Sequence, residues 1–226
     1  MNKKAVIAAL VAGAAIPVAW KPASAAINRV RTGQLSGIQH GTTQERQADL
    51  DVAVALKSSN LGDRAVLLRV NGEAITMGEY NQVKAKLAVQ RKYQGKPSPS
   101  DAEIRANLIR LAVLRAKAKS LGVFPTEDEV RSYVSQVRKD VANAGNYDQF
   151  KAFISELGMT EDQYWAAAWV IEEQRNALVT QRVGEHVGNG VAELPGETAD
   201  QLAQRRTEAF RTWLAQQVAQ AKASTP

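Results

Sequence analysis

From Thr76 onward, apolar residues recur every three or four positions in segments separated by Gly and Pro, which is the pattern of amphipathic helices. The segments fall at about 77–94, 101–121, 127–143, 147–157, 161–183 and 199–222. Ile104, Leu108, Leu111, Ala118 and Leu121 form the stripe of the second, with Leu114 at its edge. Val130, Tyr133, Val134, Val137 and Val141 form that of the third, and Phe150, Phe153, Ile154 and Leu157 that of the short fourth. Tyr164, Ala168, Ile171 and Leu178 follow one side of the fifth, with Trp165 and Trp169 beside it. Ala203, Phe210, Leu214, Val218 and Ala221 line the last, with Trp213 adjacent.

The ends of these segments carry their own signals. Thr76-Met-Gly-Glu79, Ser100-Asp-Ala-Glu103, Thr126-Glu-Asp-Glu129, Thr160-Glu-Asp-Gln163 and Thr198-Ala-Asp-Gln201 all have the form of a capping box, and Asn146-Tyr-Asp-Gln149 is a looser version. Gly95 with Pro97, then Gly122, Gly145 and Gly158, mark the stops, and Gly184, Gly188, Gly190 and Pro195 follow the fifth helix. Ahead of the first helix, Val66-Leu-Leu-Arg-Val70 is a β-rich run. Asn71-Gly72 supplies the two positive-φ residues of a two-residue turn, and Glu73-Ala-Ile75 is the return strand. A lone hairpin is marginal in water, so it is expected to lie on the helices or to pair with another extended segment. The expected fold is mainly α: about six helices and a small β-hairpin near residues 66–75, to which the family resemblance described below adds a C-terminal helix packing back on the earlier ones.

Upstream the pattern changes. Lys3 and Lys4, the apolar run Ala5–Val18 and the small residues Ala23-Ser-Ala25 read as a secretory signal peptide over residues 1–25, with an uncleaved anchor as the alternative. Residues 26–64 read as a flexible arm. It holds one short helix over Gln44–Leu56 with a thin stripe of Leu50, Ala53 and Val54. The expected divisions are therefore 1–25, 26–64, a helical domain over 65–222 in which 184–197 is a linker, and a tail over 223–226.

Composition narrows the function. Of 226 residues, 45% are hydrophobic and 23% charged, ordinary for a globular chain. The formal charge of +6 is partly that of the leader: removing residues 1–25 takes away Lys3, Lys4 and Lys21 and no acid. That leaves 26 basic against 23 acidic residues, a net charge of +3. Such a balance gives no electrostatic case for nucleic acid as a partner. The chain has no cysteine, so no disulfide and no lipidated Cys are expected.

Candidate chemistry is sparse. His40 lies in the arm and His186 in the Gly-rich segment, with no metal-ligand spacing around either. No G-x-S-x-G, P-loop or G-x-G-x-x-G occurs, and Gly188-Asn-Gly190 reads as linker. Glu127, Asp128, Glu129, Glu161 and Asp162 sit in first turns as dipole partners, while Glu172-Glu173 and Arg205-Arg206 read as solvated helix faces. No catalytic residue, cofactor or metal is expected. The aromatics read first as core. Their second reading is a groove for extended apolar peptides, in which Tyr164, Trp165, Trp169 and Trp213 beside the small residues Ala166-Ala-Ala168 would do the binding.

The hairpin VNGEAIT, Glu79 early in the next helix, Lys119–Val123 (KSLGV) followed by PTEDEV, and Leu157-Gly158 leading into Met159–Tyr164 (MTEDQY) resemble the SurA-type N-terminal chaperone domain. That domain is found in exported peptidyl-prolyl isomerases of the parvulin class. The resemblance runs from about Ala65 to Arg182, and it is the order of the motifs that carries it. In that family one or more parvulin domains usually follow the long helix, and a last helix then returns to the first ones. Here Gly184–Glu197 is too short for such a domain, so the resemblance implies a chaperone-like domain without isomerase activity. The leading expectation is an exported, ATP-independent holdase, periplasmic or secreted and not a lipoprotein. It would bind unfolded or extended apolar clients and make no stable membrane insertion after cleavage. The alternatives are an assembly or scaffold module that binds one folded partner or itself as a homodimer, and an enzyme supported only by family association.

Overall fold

The structure is a computed structural model that describes residues 43–144 and 147–224. The signal peptide, residues 26–42 of the arm with His40, and the stop at Gly145 and loose cap at Asn146 lie outside the described residues. Among those residues there are eight helices and one three-stranded sheet. In chain order they are α1 (Thr43–Ser58), β1 (Val66–Val70), β2 (Glu73–Thr76), α2 (Met77–Tyr93), α3 (Asp101–Ser120), α4 (Glu127–Ala142), α5 (Tyr147–Glu156), α6 (Glu161–Ala166), α7 (Ala168–Asn189), α8 (Ala199–Gln220) and β3 (Ala223–Ser224).

All five capping boxes form. At α2 the Glu79 amide donates to Thr76 Oγ1 at 3.2 Å, and the Thr76 amide donates to Glu79 Oε2 at 2.7 Å. Ser100, Thr126, Thr160 and Thr198 repeat the arrangement at α3, α4, α6 and α8. The hairpin turn has Asn71 at φ 49° and Gly72 at φ 86°, the pair of left-handed residues that its sequence announces. The sheet order is β2-β1-β3, antiparallel throughout, with Val70 opposite both Glu73 and Ala223. The extended partner expected for the hairpin is thus the residues just after α8.

Three groups of buried side chains hold the fold. One gathers α1, α4, α5, α6 and the start of α7 around Tyr164 and Trp169. A second joins the sheet (Leu68, Val70, Ile75) to α3 (Ile104, Leu108, Ala112), with Leu214 and Val218 of α8 against it. The third joins the end of α3 to Val179 and Val183 of α7 and Phe210 of α8. The last helix therefore packs back on α3 and α7, as expected.

Three features differ from the sequence reading. The helix drawn over 44–56 is longer and is no part of an arm. Val52, Ala53 and Leu56 are in the core with Leu50 packed against it, whereas Val54 is 47% exposed, so of the expected stripe Leu50 and Ala53 face inward and Val54 does not. Tyr93 Oη and Lys92 Nζ of α2 both donate to Asp51 at 2.9 Å, and Lys57 Nζ donates to the Leu157 carbonyl at 2.8 Å, which ties α1 in further. The helix drawn over 161–183 is two, because Ala167 is extended (φ −66°, ψ 132°). Finally, Gly184 and Gly188 do not end α7. They are buried inside it, Gly188 facing the side chain of Arg206 on α8, and the linker shrinks to residues 190–198.

Candidate functional site

The four aromatic residues singled out from the sequence do not line one groove. Tyr164, Trp165 and Trp169 are 2%, 6% and 5% exposed and belong to one sealed cluster. Tyr164 is its hub. Phe150, Trp165 and Trp169 meet its ring nearly perpendicularly, with centroids 5.3, 5.1 and 5.5 Å away, the edge-to-face geometry that aromatic quadrupoles favour. Burial pushes the Tyr164 phenol well above its ordinary pKa, so it stays neutral. The apolar concavity expected beside Ala166–Ala168 is filled by these rings, and in this arrangement none of the three has surface to offer a peptide.

The extended Ala167 explains why they meet. On an uninterrupted helix, residues 164 and 169 would point about 140° apart. The break turns α7 so that Trp169 reaches the Tyr164 ring.

Trp213 is placed elsewhere. It stacks on buried Phe210 at 5.9 Å and 21° and keeps part of its indole in solvent. Beside it lies a wide, shallow hollow of about 530 Å3, lined by Val191, Arg205, Glu208, Ala209, Thr212 and Gln216 as well as Trp213. Leu194, on the linker, is 52% exposed. Arg205 is held by the linker too, donating to Glu197 Oε2 at 2.8 Å and to the Ala192 carbonyl at 3.1 Å. The hollow mixes one large aromatic with charged and amide side chains. It suits a weakly held, exchangeable segment better than a deeply buried anchor.

A belt of ion pairs along α7 was not legible as such. Glu172 and Glu173 are not a solvated face. Arg115 of α3 pairs with Glu79 of α2 and with Glu172 at 2.7 Å, and it donates to Asn176 Oδ1 at 3.1 Å. Arg175 bridges Glu172 at 3.1 Å and Glu127 of α4 at 2.7 and 2.9 Å. Arg182 reaches Glu129 at 2.6 Å, and Lys86 reaches Glu173 at 3.1 Å. The Arg205-Arg206 pair also departs from that reading, since Arg206 packs against Gly188 and Arg205 pins the linker. A signal did exist: Glu172, Arg175 and Arg182 recur at spacings of three and seven on one helix. The belt orients α2, α3 and α4 around α7 and leaves its carboxylates occupied by Arg and Lys partners.

His186 is exposed in the last turn of α7. Among the described residues, no three His, Cys, Asp or Glu side chains come together to hold a metal ion, and no helix is long and apolar enough to cross a membrane. In comparisons with known proteins, a family model described as SurA-like N-terminal domain matches residues 52–183, more than half of the chain. The match begins inside α1 and ends inside α7. No curated protein and no solved structure matches.

Proposed function

The chain belongs to the SurA-like N-terminal domain family, and from that membership we infer that it works as an exported, ATP-independent chaperone that holds unfolded or extended segments of envelope or secreted proteins. The family match carries this reading, because it spans α1 to α7 and so takes in most of the described helices and the hairpin. The geometry adds support in α8. That helix closes the domain by laying a half-covered Trp213 beside an open hollow, the one candidate aromatic with surface for a client. Residues 190–198 are the whole connection between α7 and α8, far too few for an inserted catalytic domain, so we propose that the protein does not accelerate proline isomerisation. Its leader-like first 25 residues support export.

The test is aggregation of a chemically denatured client diluted into buffer with the purified protein. Suppression of light scattering at a few-fold molar excess is the expected result, and scattering unchanged at high excess overturns the reading. A proline-isomerisation assay is expected to give the uncatalysed rate.

A second reading draws on the Tyr164–Trp165–Trp169 cluster, whose burial closes the place where an aromatic groove was expected. It makes the domain a scaffold for one folded partner or a second copy. Capture of a single stoichiometric partner, without affinity for unrelated unfolded peptides, would favour it.

A further inference from the structure

The outer edge of the sheet is held by the residues just after α8. β2 pairs with β1 from Val70 back to Val66, but among the described residues β3 pairs only with Arg69 and Val70. β3 is also a weak occupant. Both of its residues are exposed. Ala223 stands opposite Val70 and so shares the face on which Val70 is fully buried, yet it is too small to be covered there. What holds the segment is hydrogen bonding, main chain to main chain and main chain to the Asn71 side chain. The Asn71 amide donates to the Lys222 carbonyl at 3.1 Å, and the Lys222 amide donates to Asn71 Oδ1 at 3.1 Å. Because the two kinds of antiparallel pair alternate, Arg69 and Ser224 form the next hydrogen-bonded position. β1 itself is a firm template, since Leu68 and Val70 are locked against α3.

We propose that this edge of β1 is a client site, at which an extended polypeptide displaces β3 and pairs antiparallel with Val66–Val70. The occupant is an unfolded chain in β conformation with an apolar residue larger than alanine opposite Val70. An extended, antiparallel stretch of this chain already lies there, and its side chains contribute little, so a segment that offers the same backbone bonds plus an apolar side chain outcompetes it. Recognition through main-chain groups is tolerant of sequence, as a holder of varied unfolded clients requires. The proposal rests on the chaperone reading and gives it a place of binding.

The probe is a fluorescein-labelled octapeptide of alternating Val and Thr, read by anisotropy, beside the same peptide N-methylated at every second residue. Two variants free the edge: Ser224→Pro, which removes one donor and leaves the rest of the chain intact, and a chain that stops after Ala221. Both are expected to bind the unmethylated peptide about fivefold or more tightly than the unaltered protein, a gain in line with losing one or two competing hydrogen bonds, and neither should gain for the methylated one. Equal affinities in all three proteins overturn the proposal. A dimer that dissociates in both variants, seen by sedimentation, also overturns it, because the edge then belongs to the tail of a second copy. If the variants bind no better while all three proteins suppress client aggregation, the edge fails and the chaperone reading stands. If the variants gain affinity and none suppresses aggregation, the edge stands and the chaperone reading fails.

Discussion

A hydrogen atom in place of a methyl group decides how α2 begins. A Cβ built on Gly78 would lie 2.5 Å from the Leu61 carbonyl oxygen and 2.9 Å from those of Asn60 and Asp63, all of them backbone atoms that cannot swing away. The Gly78 amide meanwhile donates to the Asp63 carbonyl at 3.0 Å, so the close approach is also a bond. Gly78→Ala is expected to destabilise the domain by about 1–3 kcal/mol, with a Tm lower by about 2–4 °C per kcal/mol in a scanning calorimeter. Nothing in the sequence marks this glycine, because its neighbours come from the loop before β1. Glu129 shows a charge effect at the same scale. The Arg182 guanidinium, and then the Thr126 amide, hold its carboxyl down from 4.5 to about 2. A depressed folded-state pKa means that its contribution is complete above about 4.5 and is lost as pH falls toward 2. Glu129→Gln is therefore expected to flatten the dependence of the urea midpoint on pH between those values, and the difference should shrink in high salt because the pair is exposed. The candidate aromatics belong here too. Trp213 alone keeps surface, and the sequence could not separate it from Trp165 and Trp169, because exposure depends on which helices lie opposite.

Elements were legible where their determinants are local. A capping box spans four residues and a two-residue turn spans two, so all five caps and the Asn71-Gly72 turn could be read directly. Faces were harder. In α1 the stripe of Leu50, Ala53 and Val54 fails at Val54 and misses Val52 and Leu56, and the choice falls to the partners, Val130, Phe153 and their neighbours in the same core. Leu56→Ala is expected to cost about 2–5 kcal/mol in chemical denaturation, whereas Val54→Ser should stay within about 0.5 kcal/mol. The reverse order would show that α1 is not docked as described. The interruption at Ala167 has no local signal either. Three alanines favour a continuous helix by propensity, and the perpendicular packing of Trp165 and Trp169 on Tyr164 overrides it.

At the scale of the molecule, α8 is the least embedded of the long helices it touches. It fully buries only Thr207 and Phe210, whereas α3 buries six residues and α7 eight. Native-state hydrogen exchange is expected to show α8 amides opening at lower free energy than those of α3. Phe210→Ala, at a residue 1% exposed, should lower stability by about 3–5 kcal/mol and speed exchange in α8 well before α3. Uniform exchange across both helices would mean that α8 is an integral part of the core and not a strap. By itself the sequence determined the helical class, the five capped helix starts and the hairpin turn, because capping, turn geometry and amphipathic periodicity act within a few residues along the chain; the return of the last helix came from the family resemblance. Only the tertiary structure decided which stripe of α1 faces inward, that Gly184 and Gly188 serve close packing, that Glu172 is paired with Arg115, and that three of the four candidate aromatics are sealed. Each of those depends on atoms brought in from distant segments, and burial and pairing are properties of both partners at once.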